Sequence, residues 1–193
     1  MKYFSNFDLI KYNFTMHTDK TPIIETIVNF LQRAKLSITD DTLTKITEKY
    51  ILGNNIKPEQ LASSLYNDPY LHWTILYING ISDISSQWPL AELALSAFVT
   101  RKYGAGNEFN PHHYELGGTG IWVDPPIYDI NGTLIANFAL TTYGVNPLLF
   151  TNSDYESQIN DLKRNIVVIK PEYVSAFVDS YNIALKSQSV LGD

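Results

Sequence analysis

The sequence contains no cysteine. Disulfides, thiolate nucleophiles and cysteine-ligated zinc are excluded together, so stability has to come from packing, hydrogen bonds or partners. Charge is sparse, at 18% of the 193 residues. Fourteen basic residues against 20 acidic ones give a formal net charge of −6. There is no basic stripe, which argues against binding nucleic acid through its phosphates. No apolar run approaches the ~20 residues that a membrane-spanning helix needs. Met1 to Asp8 carry one lysine and no long apolar stretch, so no secretory leader is expected. Signature loops are missing as well. There is no Gly-Lys-Ser/Thr phosphate loop and no Gly-x-Ser-x-Gly elbow, and Gly104-Ala105-Gly106 lacks the third glycine of a dinucleotide loop.

What is present is a globular composition, 45% hydrophobic, with 13 tyrosines. Tyrosine pairs an apolar ring with a polar tip and suits surfaces that end up buried in a neighbour. The aromatic start (Tyr3, Phe4, Phe7, Tyr12, Phe14) predicts an extended arm that packs on something. Thr21-Pro22 followed by Ile23, Ile24, Ile27, Val28 and Leu31 predicts a helix. Asp40-Asp41 reads as a polar connection, and Thr44 to Leu52 as a strand. Pro58 opens a helix with a Leu61, Ala62, Leu65, Tyr66 stripe, and Asp68-Pro69 opens another with Leu71, Ile75 and Ile78. Trp88-Pro89 predicts the start of a helix that ends at Gly104. Trp73 and Trp88, near helix starts, are expected in the core.

Residues 104–153 interleave glycines with Pro111, Pro125, Pro126 and Pro147, and predict turns and short strands. Asn131-Gly132 marks a hairpin of type I′ between Ile127–Ile130 and Thr133–Phe138. After it, Tyr155, Ile159 and Leu162 space a helix, Ile166 to Ile169 reads as a buried strand, and Pro171 opens a final helix. The predicted organisation is an arm and helix over 1–43, a strand–helix–helix segment with a following helix over 44–103, the insertion over 104–153, and a helix, closing strand and C-terminal helix over 154–193, all in a single compact α+β unit.

The nearest thing to a metal cluster is His112-His113 with Glu115 and Asp124. Adjacent residues of a strand point to opposite faces, so the two rings are not expected to share an ion. His17 and His72 are isolated, and His72 beside Trp73 reads as a packing or interface residue. The residues thus predict no catalytic, metal or cofactor site, and a surface better suited to partners than to chemistry.

Two resemblances enter here. Lys49 to Leu52, the two short helices and Ile166 to Ile169 stand in a β-α-α-β order, and Pro58-Glu59-Gln60-Leu61-Ala62-Ser63-Ser64-Leu65-Tyr66 resembles the first helix of a LysM module, interrupted by an insertion of roughly eighty residues. More extensively, the chain resembles the small baseplate wedge protein family of T4-like contractile-tailed phages, the gene 53 product and its relatives. The residues that carry this are Met1-Lys2-Tyr3-Phe4, Lys57 to Ala62, Leu65-Tyr66-Asn67-Asp68-Pro69, Leu71-His72-Trp73, Asn79, Trp88-Pro89, Lys102-Tyr103-Gly104, His113-Tyr114-Glu115, Tyr155-Glu156 with Asn160, and Lys163-Arg164 before Ile166 to Pro171. Residues 116–150 depart most from the pattern.

The resemblance implies a non-enzymatic virion protein with a LysM-like core, assembled in the host cytoplasm into the tail baseplate. It also implies six copies and contacts with large wedge core subunits, a sheath-initiator-like subunit and the central hub. Interface candidates are Tyr3, Phe4 and Phe7 of the arm, Trp122 in the turn-rich insertion, and Lys163 and Arg164 at a helix end. The alternatives are a peptidoglycan-binding LysM module and a wall hydrolase drawing acids from Glu108, Glu115 and Asp124.

Overall fold

The computed structural model describes residues 7–13, 24–29, 36 and 38–189. They are mixed α+β, with helices set among small antiparallel sheets. By packing the chain forms two interleaved units: one draws on residues up to Leu52, on Ile56–Ile84 and on Ile166 onward, the other on Gly53–Asn55 and Ser85–Asn165.

In the first unit, β1 (Leu9–Asn13) pairs antiparallel with β2 (Ile24–Val28), Leu9 opposite Val28. The helix predicted from Thr21 is therefore corrected over these residues. The spacing of Ile24, Ile27 and Val28 is that of a helix, but four of the five residues of β2 are β-branched, and β1 supplies a partner. Asp40-Asp41 is not a connection but the first turn of α1 (Asp40–Ile46). The Thr39 side chain caps that helix by accepting from the Thr42 N–H, and both acids sit where the helix dipole favours anions. β3 (Thr47–Ile51) accordingly starts three residues later than Thr44.

α2 (Pro58–Tyr66) begins at Pro58 as its punctuation predicts, whereas Asp68-Pro69 opens a single 3-10 turn, Pro69–Leu71, with the Asp68 carboxylate accepting from the Tyr70 N–H, and α3 (His72–Ile78) starts only after it and stops before Asn79. β3 pairs with β9 (Asn165–Ile169), so the strand–helix–helix–strand order closes across the insertion. Two side chains tie the helices to β9. Tyr66 donates to the Ile169 carbonyl at 2.9 Å, and burial pushes its phenol up to about 12. Asn79 donates to the Val167 carbonyl at 2.7 Å and accepts from the Val167 N–H at 2.9 Å. α8 (Pro171–Ser189) then lays Val174, Phe177, Val178, Tyr181 and Leu185 on Trp73 and Ile169, with the Trp73 and Tyr181 rings 4.7 Å apart. Phe7 lies in the same cluster, 6% exposed.

The second unit resumes at Ser85, within α4 (Ile84–Gln87), and continues with α5 (Glu92–Tyr103). Trp88 is buried as expected, but α5 starts at Glu92 rather than at Trp88. The Asn160 amide takes the Leu90 N–H at 2.7 Å and reaches the Leu90 carbonyl at 3.0 Å, so that residue is held by a side chain instead of a helical ladder. A three-stranded antiparallel sheet follows, in the order β5 (Trp122–Val123), β4 (Pro111–Leu116), β8 (Pro147–Thr151).

β6 (Ile127–Tyr128) and β7 (Leu134–Ala136) form the hairpin around Asn131-Gly132. Its turn is not type I′, because Asn131 keeps a negative φ. The Gly132 N–H bonds the Asp129 carbonyl and the Asp129 N–H bonds the Thr133 carbonyl, which is a three-residue loop closed by glycine at φ +80°. Open space surrounds that glycine, so only its backbone resists a side chain. Gly132→Ala should cost about 1–2 kcal/mol from left-handed strain, read as a small fall in the denaturation midpoint. An unchanged midpoint would contradict this turn.

Beyond the hairpin, α6 (Phe138–Tyr143) adds a helix within the region predicted as turns and strands, capped by the Asn137 side chain. α7 (Asn152–Leu162) carries a capping box between Thr151 and Asp154. Its packing inverts the expectation. Ile159 and Leu162 are exposed, while Asn152, Glu156 and Asn160, four residues apart, face inward. Each buried polar group has a partner, as burial demands: Asn152 donates to the Asn107 carbonyl, Asn160 brackets Leu90, and Glu156 accepts from Lys102 and Tyr103.

Candidate docking surface

The most structured exposed feature is built on β4. Its ladder to β8 shifts between Pro111 and His113, where His112 is an extra residue. This bulge corrects the expectation that the two histidines face apart, since a bulged residue no longer alternates with its neighbour. Their Nδ1 atoms lie 2.9 Å from each other. His113 Nε2 is 3.0 Å from Glu115 Oε1, and the Gly120 N–H donates to Glu115 Oε2 at 3.2 Å. A carboxylate only accepts, so His113 donates to Glu115 through Nε2 and meets His112 through Nδ1.

The rings are stacked as well as hydrogen-bonded. Trp122 lies 4.3 Å over His113 and Phe150 lies 5.2 Å from it, both nearly parallel, so one stack crosses all three strands of the sheet. His112 stacks on Tyr155 of α7 at 4.0 Å. Burial, and then the neighbouring His113, hold the His112 imidazole below its ordinary value. Glu156 accepts from Lys102 at 2.5 Å and Tyr103 at 2.8 Å. Burial pushes its carboxyl up, but the bonds from Lys102 and Tyr103 outweigh this and hold it below the usual range.

Trp122 is therefore anchored on one ring face and is 60% exposed. Exposed around it in sequence are Ile121, Ile127, Tyr128, Ile130 and Ile135, and on β8 Leu148 and Leu149. A monomer seldom leaves so many large apolar side chains open unless something covers them.

The other sequence candidates are placed differently. Tyr3 and Phe4 lie outside the described residues. Phe7 is spent on the first unit's own core, which removes it from an exposed arm. Arg164 donates to Asp161 at 2.8 Å and to the Gly53 carbonyl at 3.2 Å, and Lys163 to the Ser86 carbonyl at 2.7 Å. Arg164 is thus engaged in its own unit, whereas no carboxylate among the described residues pairs with Lys163. His72 bonds the Pro69 carbonyl through Nδ1. Of the acids weighed for hydrolysis, Glu115 is buried against His113, Glu108 accepts from Thr100, and Asp124 is exposed. Among the described residues no three His, Asp or Glu side chains form a group that could hold a metal ion. Phe150, which completes the stack, carried no signal in the sequence because its contact comes from pairing across distant segments, whereas Tyr155 was legible as a position of the helix after the insertion but not as a ring beneath His112.

No individually curated protein matches the chain. A family model described as base plate wedge protein 53 matches residues 2–131 of the 193. The chain therefore belongs to the base plate wedge protein 53 family, structural components of the phage tail baseplate that work in contact with other baseplate components.

Proposed function

We propose that the chain is a passive joint of the baseplate wedge, holding inner wedge subunits to one another and to the neighbouring wedge without turning over a substrate. The observation that carries this reading is the exposed apolar surface of residues 121–149, with Trp122 fixed at one point on the His113 and Phe150 rings. A ring held in place before binding loses little freedom on binding, which is the usual circumstance of a hot-spot residue. The partners proposed are the large wedge core subunits and the sheath-initiator-like subunit, with six copies per baseplate assembled in the host cytoplasm. The β3–β9 pair with α2 and α3 between its strands supports reading the first unit as a LysM-like core reused for assembly.

Trp122→Ala tests the joint. Its ring is mostly outside the fold, so the isolated chain should keep its thermal midpoint within a few degrees. Wedge assembly from purified subunits should weaken by at least thirtyfold, the order of a 2 kcal/mol hot spot. Unchanged assembly would remove this surface from the joint.

A further inference from the structure

We propose that the groove between α5 and α7 is a second docking site, and that it takes an acidic amphipathic segment of a neighbouring baseplate chain, anchored by Arg101 and Lys163. This rests on the baseplate reading above. The groove has a volume of about 570 Å³. Asn160 holds Leu90 ahead of α5, and Glu156, one turn earlier on α7, meets Lys102 at the far end of α5. Both ends of α5 are therefore tied to one turn of α7 beside the groove.

Its floor is apolar: Leu90, Ala94, Ala97, Phe98 and Ile159 line it. Ala94 and Ala97 are exposed and lie three residues apart on one face of α5. Their short side chains leave no ridge, so another segment can approach the helix closely. The outward position of Ile159 follows from the inverted packing of α7, which turns polar groups inward and an apolar one toward the groove.

The charge identifies the occupant. The chain as a whole carries −6, yet this groove is locally positive. Its lining acid, Glu156, is buried and already satisfied by Lys102 and Tyr103. Arg101 lies 6.0 Å from the Phe98 ring, and Lys163 bonds only a neutral carbonyl. Among the described residues neither cation has an ion-pair partner. Two such cations beside an apolar floor are complementary to carboxylates flanking apolar side chains. A nucleic acid is disfavoured, because its phosphates would meet an acidic protein and an apolar floor.

Zero-length carbodiimide coupling of intact purified tails tests this, since it joins an amine only to a carboxylate in contact with it. Mass spectrometry should find Lys163 joined to an Asp or Glu of a different protein. Tails carrying Arg101→Lys should gain a second link into the same segment. Arg101→Glu with Lys163→Glu should lower incorporation into tails by tenfold or more, and reversing the linked acids to lysine should restore it. Lys163 acetylated by an N-hydroxysuccinimide ester as readily in intact tails as in the isolated chain, or linked by the carbodiimide only to its own chain or a second copy, would overturn the proposal. If the chain is present in tails with Lys163 open, this inference alone fails; if it is missing from tails, the joint reading falls with it.

Discussion

Trp73→Ala is expected to destabilise the protein by about 3–5 kcal/mol, the range for emptying a buried indole site. Trp73 is 7% exposed and packs against Phe177 and Tyr181, with Ile169 in the same cluster. Its loss leaves α3 and α8 facing a cavity that neither can close without moving. For a chain of this length the thermal midpoint should fall by roughly 10 °C. The comparison with Trp122→Ala sharpens the test, because the two substitutions remove the same side chain from opposite environments. One should unfold early and, below its midpoint, still assemble. The other should unfold normally and fail to assemble. A fall of less than about 3 °C for Trp73→Ala would mean that this cluster is not what holds the first unit together.

That contrast also marks what could be seen in the sequence. Elements that announce themselves locally were legible. Pro58 at a first turn, Asp68-Pro69, Gly104 and Pro171 each act within a few residues of themselves, and α2, the turn before α3, the end of α5 and α8 fall where they point. Ile166 to Ile169 was legible as a buried run, and the strand–helix–helix–strand order anticipated its pairing with β3. Elements decided by a distant partner were not. Ile24 to Val28 is spaced as a helix until β1 is beside it. Pro111 to Leu116 becomes a strand through Pro147 to Thr151, and the bulge at His112 exists only in that pairing. The inverted face of α7 is the clearest case. Its apolar residues suggested a core face, but Asn152, Glu156 and Asn160 bracket other segments, so the polar face went inside. Trp122 was found from its turn-rich surroundings, whereas the rings beneath it come from other strands.

Acid should weaken the second unit in two steps, and the signs follow from its buried polar chain. His112 is held below its ordinary 6.5, so the unfolded chain binds its proton more readily than the folded one. That contribution is present above pH 6.5 and is lost as pH falls through the folded value. Glu156 is held below its ordinary 4.5, so its contribution is present above that pH and is lost further into acid. Lys102 is raised, chiefly by its bond to Glu156, so its share persists at neutral pH and fades only as pH rises past 10.5. Lys102 is 46% exposed, and solvent screens much of the Coulombic attraction. What Glu156 contributes is therefore mainly two charge-assisted hydrogen bonds to a group 6% exposed. Glu156→Gln should cost about 2 kcal/mol at pH 7 and flatten the stability profile below 4.5. His112→Phe keeps a ring to stack on Tyr155 but removes the titration, so it should flatten the part of the profile that falls as pH drops below 6.5 and leave the Glu156 step in place. Urea denaturation from pH 4 to 8 separates the two. An acid slope in His112→Phe equal to that of the wild type would show that His112 is not the proton-linked group, and the two-step account would fail with it.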